Sequence, residues 1–514
     1  MSGFSRYINS SDDLFVVRNL IGAVLEGVGV AYLFPVVIVW FYPSNLKYVY
    51  YFIVPGLVSI AMGAWLSRHQ KKVEDVNLRQ AMVAAAFVWI FASLVSVVPF
   101  MTIPPRCGGH TMSFIDSYFE SMSAWTGTGL TMMSHLSSYP KILLFWRAWM
   151  QWLGGIGIVL VALTILIRPG VAAARLYRAE ARTERILPNF VNTAKMIFKI
   201  YLILTLVGVY LLYINGMPLF DSFVNAMTGL GTGGMSDHDA SIGYYLMAGY
   251  SHAYAILAVT IFLMLMGAVN FTVHYRIFKE RSLKPFFSDI QVKYMFLFLI
   301  PAILLVVYGL HFIGVWNPKL DGYSPLSYGK SAVQAIFTAV SAITCTGFQI
   351  SNLNSYPVIS KFIIALLMVI GGGAGSTAGG IKLVRVTLMY QSLKWTLQQA
   401  ILPRGAVIKR KVGNYVFHEE DIREVMGFTM TYLAFLLFGT IYLMLRLNTS
   451  LVNSFFEVAS AQGNVGLSVG ITSPLLPMDV KVLFIILMWV GRLEIFSVIV
   501  FVVSLVAAVG NLRR

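Results

Sequence analysis

The chain has 514 residues, 58% hydrophobic and 12% charged, about half the charged share of a soluble domain, which is roughly 25%. With a mean hydropathy of +0.75, this excludes a soluble core and describes a chain threaded repeatedly through a membrane. A formal net charge of +16 would suggest nucleic acid in a soluble protein, but here the basic residues are distributed for another purpose.

Lys and Arg concentrate in alternate loops: Arg68 to Arg79, Arg168 to Lys195, Arg276 to Lys293 and Lys382 to Arg423. That asymmetry predicts cytoplasmic placement of these loops and of both termini, with anionic lipid headgroups rather than nucleic acid as their counterpart. The N-terminus, Met1 to Leu14, is polar, carries Asp12 and Asp13, and has no basic start or small-residue cleavage site. The first span is therefore expected to be retained.

Apolar runs fall near 16–42, 48–67, 81–103, 142–167, 196–215, 246–274, 293–315, 358–390, 424–447 and 480–509, each long enough for roughly 30 Å of hydrocarbon. The fold class predicted is an all-α membrane protein of ten transmembrane helices. The first two runs, within 1–79, form an accessory pair. The remaining eight divide into four units, 80–193, 194–292, 293–421 and 422–514.

Each unit holds a segment with Phe ten residues before Gly: Phe119 to Gly129, Phe223 to Gly233, Phe337 to Gly347 and Phe456 to Gly466. Each begins as a helix-like stretch and ends in small residues that can be held extended. Four pore half-helices with filter loops, in fourfold pseudo-symmetry around one pore, can present backbone carbonyls to a bare cation. Inverted repeats would alternate in orientation; these do not. The filter residues predicted are Gly127, Thr128 and Gly129; Gly231, Thr232 and Gly233; Cys345, Thr346 and Gly347; and Asn464, Val465 and Gly466. Non-helical backbone at membrane depth must be buried in protein or line water. Tight helix packing explains one Gly-rich segment but poorly explains four with a common spacing. Asp116, Asp221 and Asn453 are placed to cap the half-helices, whose C-terminal ends favour a cation; Gly329, Lys330 and Ser331 open the third without such an acid.

The run at 358–390 is interrupted by Gly371, Gly372, Gly373, Ala374, Gly375, Ser376, Thr377, Ala378, Gly379 and Gly380, six glycines in ten residues. No Gly-Lys-Ser/Thr follows, so a nucleotide loop is excluded; a movable constriction is predicted, with plain tight packing as the alternative. In the last run Arg492 sits among apolar residues, where a charge must face protein or water. In the pore it opposes cation flow until displaced, with loop carbonyls and the Ser376 and Thr377 hydroxyls as partners. Otherwise it pairs with Glu494 or another acid.

The two cysteines, Cys107 and Cys345, exclude a disulfide framework. The longest cytoplasmic stretch, Gln391 to Arg423, is either a docking surface for a partner or a solvated linker. No His-Glu-x-x-His, CxxC or nucleophile elbow is present, so no enzyme is predicted. His110, His135, His238 and His252 read as solvated loop residues.

The four segments, together with Gln151 to Gly157, Gly267 to His274, the Gly371 to Lys382 loop and Gly491 to Phe496, resemble the Trk/Ktr/HKT superfamily of cation transporters. The likeness is greatest to the TrkH/TrkG potassium-uptake membrane subunits, over nearly the whole chain. It implies a homodimer with one pore per subunit, a gating Gly-rich loop beside Arg492, and a cytoplasmic nucleotide-binding regulatory subunit of the TrkA type. It also implies ion-binding positions at the residue pairs preceding the four repeat glycines, and K⁺ preference where Gly129 is glycine rather than serine. The chain departs from the pattern at Gly127 and Gly231, where Thr or Ser is usual, and at Gln462 to Val465, which is more Ktr-like. The function expected is K⁺ uptake across the plasma membrane with no organic cofactor. The alternatives are a Na⁺- or H⁺-coupled symporter, a Na⁺-permeable relative, or a non-conducting scaffold.

Overall fold

The computed structural model describes residues 11–67, 78–106, 110–157, 190–313, 327–403, 410–412, 415–416, 419–493 and 495–512. The Cys107 and Glu494 expectations, and most of the basic loops at 68–79 and 168–195, lie outside the described residues. The described chain is helical apart from one antiparallel pair, β1 (Lys411–Val412) with β2 (Tyr415–Val416).

The first helices, α1 (Ser11–Leu33) and α2 (Tyr50–Ser67), pack against each other through facing glycines. A Cβ on Gly22 would meet the Gly63 carbonyl at 2.8 Å, and one on Gly56 the Gly29 carbonyl at 3.0 Å. Small residues seven apart on both helices let the backbones approach, which drives association where lipid removes the hydrophobic advantage. Ser59 seals the contact by donating to the Leu25 carbonyl at 2.8 Å. The pair then docks on the rest through Tyr32, whose hydroxyl donates to Val95 O at 2.6 Å.

Beyond α3 (Leu78–Val95), the chain runs through α4 (Phe114–Thr126), α5 (Lys141–Ile156), α6 (Phe190–Ile214), α7 (Leu219–Leu230), α8 (Ala253–Ala268) and α9 (Phe271–Glu280). It continues through α10 (Ile290–Tyr308), α11 (Tyr328–Ile343), α12 (Val358–Ile370), α13 (Leu383–Ile401), α14 (Glu419–Leu447), α15 (Leu451–Gln462), α16 (Met478–Arg492) and α17 (Phe496–Leu512); shorter helices are left unnumbered. Among the described residues six helices are long and apolar enough to cross a bilayer, or eight if two bent pairs each count as one span. Leu297, Ile300 and Leu304 of α10 are more than half exposed, as a hydrocarbon-facing surface requires.

Two runs read as single spans are broken. The run 246–274 bends by 102° between α8 and α9, and 480–509 by 115° between α16 and α17. At the first break Val269 is extended and Asn270 caps α9, accepting from the Thr272 amide at 2.8 Å. The run 142–167 is described only to Gly157, and 358–390 breaks at its glycines between α12 and α13.

Candidate cation pathway

Four short helices, α4, α7, α11 and α15, are almost wholly buried along their C-terminal halves. Each gives way to a loop with the same backbone signature. A residue with positive φ is followed two places on by a glycine with positive φ: Gly127 (70°) and Gly129 (85°), Thr232 (49°) and Gly234 (69°), Cys345 (54°) and Gly347 (88°), Asn464 (53°) and Gly466 (98°). The amide between them bonds a carbonyl five residues back in all four: Thr128 to Ser123 at 2.9 Å, Gly233 to Thr228 at 2.8 Å, Thr346 to Ser341 at 2.9 Å and Val465 to Ser460 at 2.9 Å.

This alignment corrects the second segment by one residue. Its triplet is Thr232, Gly233 and Gly234, while Gly231 still has a right-handed helical φ of −69°. The buried residue matching Phe119, Phe337 and Phe456 is Val224; Phe223 is 37% exposed. The Phe-to-Gly spacing of the second segment joins two residues that are each one place early.

The triplets form a closed ring. A Cβ on Gly129 would strike the Gly233 carbonyl oxygen, one on Gly234 that of Thr346, one on Gly347 that of Val465, and one on Gly466 that of Thr128. Glycine is thus required twice over, by close approach of the neighbouring backbone and by dihedrals that side chains rarely adopt. The same four glycines line one cavity of about 490 Å³, with Arg147 and His238 on its wall. Side chains brace the ring. Gln151 donates to Gly233 O at 2.7 Å and accepts from the Met235 amide at 3.0 Å. Asn464 Nδ2 donates to the Thr128 hydroxyl and to Met488 O, both at 2.9 Å.

The half-helix caps differ from those predicted. Ser113 and Ser450 do the capping, accepting from the Asp116 and Asn453 amides at 3.2 and 3.4 Å; α7 has no side-chain cap. Asp116 and Asn453 sit three residues too late to cap, and instead each takes a lysine from another helix. Lys481 of α16 meets Asp116 at 2.5 Å and Lys361 of α12 meets Asn453 at 3.1 Å.

Two buried carboxylates escaped the sequence reading, although a Phe-Glu pair inside an apolar half-helix was a visible signal. Glu120 accepts from Arg147 Nε and the Met132 amide, both at 2.8 Å. Glu457 accepts from Ser468, Val469 and Thr472 at 2.6–2.8 Å. Each straps the chain beyond its loop back onto the half-helix. Arg147 is 1% and Glu120 0% exposed, so removing one charge strands the other. Arg147→Met is expected to cost about 3–5 kcal/mol, read as a sharp fall in melting temperature and monodisperse yield in detergent; an unchanged melting temperature would contradict it.

His238 is not a solvated loop residue. Its Nε2 lies 3.2 Å from Asp221 and 3.7 Å from Asp237, its ring stacks on Tyr244 at 3.7 Å, and Tyr245 donates to Asp221 at 3.0 Å.

The stretch from Gly371 to Gly380 threads between the elements around the ring. Gly373 donates to Ala268 O at 2.9 Å, Thr377 to Gly267 O at 3.1 Å, and Ala374 to Gln291 Oε1 at 2.7 Å. Gly371, Gly375 and Gly380 have positive φ; a Cβ on Gly379 would strike the Gly463 carbonyl, and one on Gly372 would crowd Ala378 at 2.5 Å. Arg492 reaches this stretch, donating to the Thr377 carbonyl at 2.9 Å and the Gly154 carbonyl at 2.5 Å, with Trp89 5.6 Å from its guanidinium. Its partners here are carbonyls; the Ser376 hydroxyl donates to Gly373 O, and that of Thr377 to Gly267 O and Leu230 O.

Residues 51–508 match the TrkH family model, described as a cation transport protein. An uncharacterized cation transporter of Methanocaldococcus jannaschii is 32% identical over 495 residues, covering 96% of each chain. The Trk system potassium uptake protein TrkG of Escherichia coli is 28% identical, over 94% of this chain and 97% of that one. The crystal structure of the potassium transporter TrkH from Vibrio parahaemolyticus superposes with a TM-score of 0.79 at 26% identity, covering 95% of this chain and 98% of the other.

Proposed function

The chain belongs to the TrkH family of cation transport proteins, integral membrane transporters rather than enzymes, and from that premise we propose that it mediates potassium uptake across the plasma membrane. The ions pass through the ring formed by the four loop triplets, entering from the 490 Å³ cavity. One observation carries this reading: four loops of unrelated side chains share one backbone conformation and adjoin one another in a closed cycle. Helix packing alone has no need of such a cycle, whereas a cation stripped of water needs a ring of backbone oxygens.

In this reading the accessory pair is 1–79, and four units, 80–193, 194–292, 293–421 and 422–514, surround the pore in fourfold pseudo-symmetry, ten spans in all with both termini cytoplasmic. An inside-negative potential draws K⁺ inward with about 2.3 kcal/mol per charge per 100 mV. The stretch Gly371–Gly380 closes the path beneath the ring, held by Arg492. Two copies assemble, and a cytoplasmic nucleotide-binding subunit acts on the stretch 391–423; the Trk system names of the relatives support a multi-component assembly.

The test is cation flux from purified protein in liposomes, each cation imposed separately. K⁺ and Rb⁺ flux through the protein alone, with a reversal potential set by K⁺, is the expected result. A reversal potential that tracks Na⁺ or H⁺ would establish coupled symport, and absence of flux for every cation, in the parent protein and in a folded variant lacking Gly373–Ala378 alike, would remove the pore.

A further inference from the structure

The first residue of each loop triplet is absent from the cavity lining, where the four glycines stand, and at two of the four positions the Gly-rich stretch lies against it. The Thr232 hydroxyl donates to Thr377 Oγ1 at 3.0 Å. A Cβ on Gly379 would stand 3.2 Å from Cβ of Asn464. Both residues have positive φ, 49° at Thr232 and 53° at Asn464, where a side chain persists only if its surroundings hold it. Thr232 is the more demanding of the two, being β-branched.

Thr377 is the hub of this contact. Its hydroxyl accepts from Thr232 and donates to Gly267 O at 2.9 Å and Leu230 O at 3.1 Å, the latter at the end of α7. Its carbonyl takes the Arg492 guanidinium. The residue that receives Arg492 therefore also holds the backbone of the second loop.

We propose that Thr377 is a positioning residue for ion discrimination: its hydroxyl bond to Thr232 makes the selectivity of the ring depend on where the Gly-rich stretch lies. The inference rests on the pore reading above. When the stretch swings aside, Thr232 loses the partner that keeps it left-handed. The carbonyls of Thr232 and Gly233 then shift, so that the opened path discriminates less between K⁺ and Na⁺.

The experiment measures the Rb⁺/Na⁺ uptake ratio of the full chain in liposomes. Thr377→Val keeps the side-chain shape and removes the hydroxyl; it should lower the ratio severalfold, and Thr377→Ser should restore it. Thr232→Val removes only the bond between the two hydroxyls, so it should lower the ratio by no more than Thr377→Val, which also loses the contacts to Gly267 O and Leu230 O; the double variant should shift no further than Thr377→Val alone. A ratio unchanged in Thr377→Val and Thr232→Val, with both variants folded and conducting, overturns the proposal. So does a double variant whose shift is the sum of the two, or a Thr377→Ser variant as unselective as the valine. Failure of the pore reading would look different: neither the parent protein nor a folded variant lacking Gly373–Ala378 would carry any cation.

Discussion

Gly129→Ser is expected to lower Rb⁺ and K⁺ uptake about tenfold or more while leaving Na⁺ uptake much less affected. Gly129 has a φ of 85° and its missing Cβ points at the Gly233 carbonyl, so a hydroxymethyl group forces the first and second loops apart. Strain of this kind is worth about 1–3 kcal/mol, and each 1.4 kcal/mol is roughly a factor of ten. The displaced carbonyls no longer match the larger ion, whereas Na⁺, which needs fewer and closer ligands, is less sensitive. Parallel uptake of the two ions in liposomes decides the matter. An equal loss of both, in protein that still runs as a single species, would place ion selection somewhere other than this ring.

Deleting Gly373–Ala378, or replacing Arg492 with Ala, should raise basal K⁺ flux in the absence of any cytoplasmic partner. Arg492 clamps the Gly-rich stretch to α5 by donating to Thr377 O at 2.9 Å and Gly154 O at 2.5 Å. Hydrogen bonds to a charged group contribute about 1.5–3 kcal/mol, so losing the clamp should raise the conducting population by about tenfold or more. The cationic guanidinium adds an electrostatic barrier of its own. Recovery of folded protein must be checked first, since Arg492 also meets Trp89. A well-folded loop deletion with the basal flux of the parent would leave these glycines a packing role only.

The membrane character of the chain and the interruption of one apolar run were legible in composition and spacing alone, because hydropathy and glycine act locally. The four loop segments were also found, but one in the wrong register. Phe223 and Gly233 satisfy the spacing of the other three, yet only the folded chain shows that Val224 is the buried anchor and Gly234 the cavity glycine. A pattern of residue types carries no record of which side of a helix is buried when both Phe and Val are apolar. The caps failed for a related reason. Acids near a helix start suit the helix dipole wherever they stand in the first turn, but only the residue at the very start can accept from the free amides.

What the sequence determined by itself was therefore a polytopic membrane protein with four related loop segments, a glycine-broken inner segment and an arginine, Arg492, within its last apolar run. Each of these follows from the transfer cost or the backbone freedom of residues taken in chain order. The tertiary structure decided which carbonyls Arg492 meets, which loop adjoins which, and that Glu120 pairs with Arg147 and Lys481 with Asp116. These are contacts between residues up to several hundred positions apart, and a buried polar group takes whichever partner packing brings within bonding distance. No local pattern encodes that choice; it is made by the shape of the closed ring.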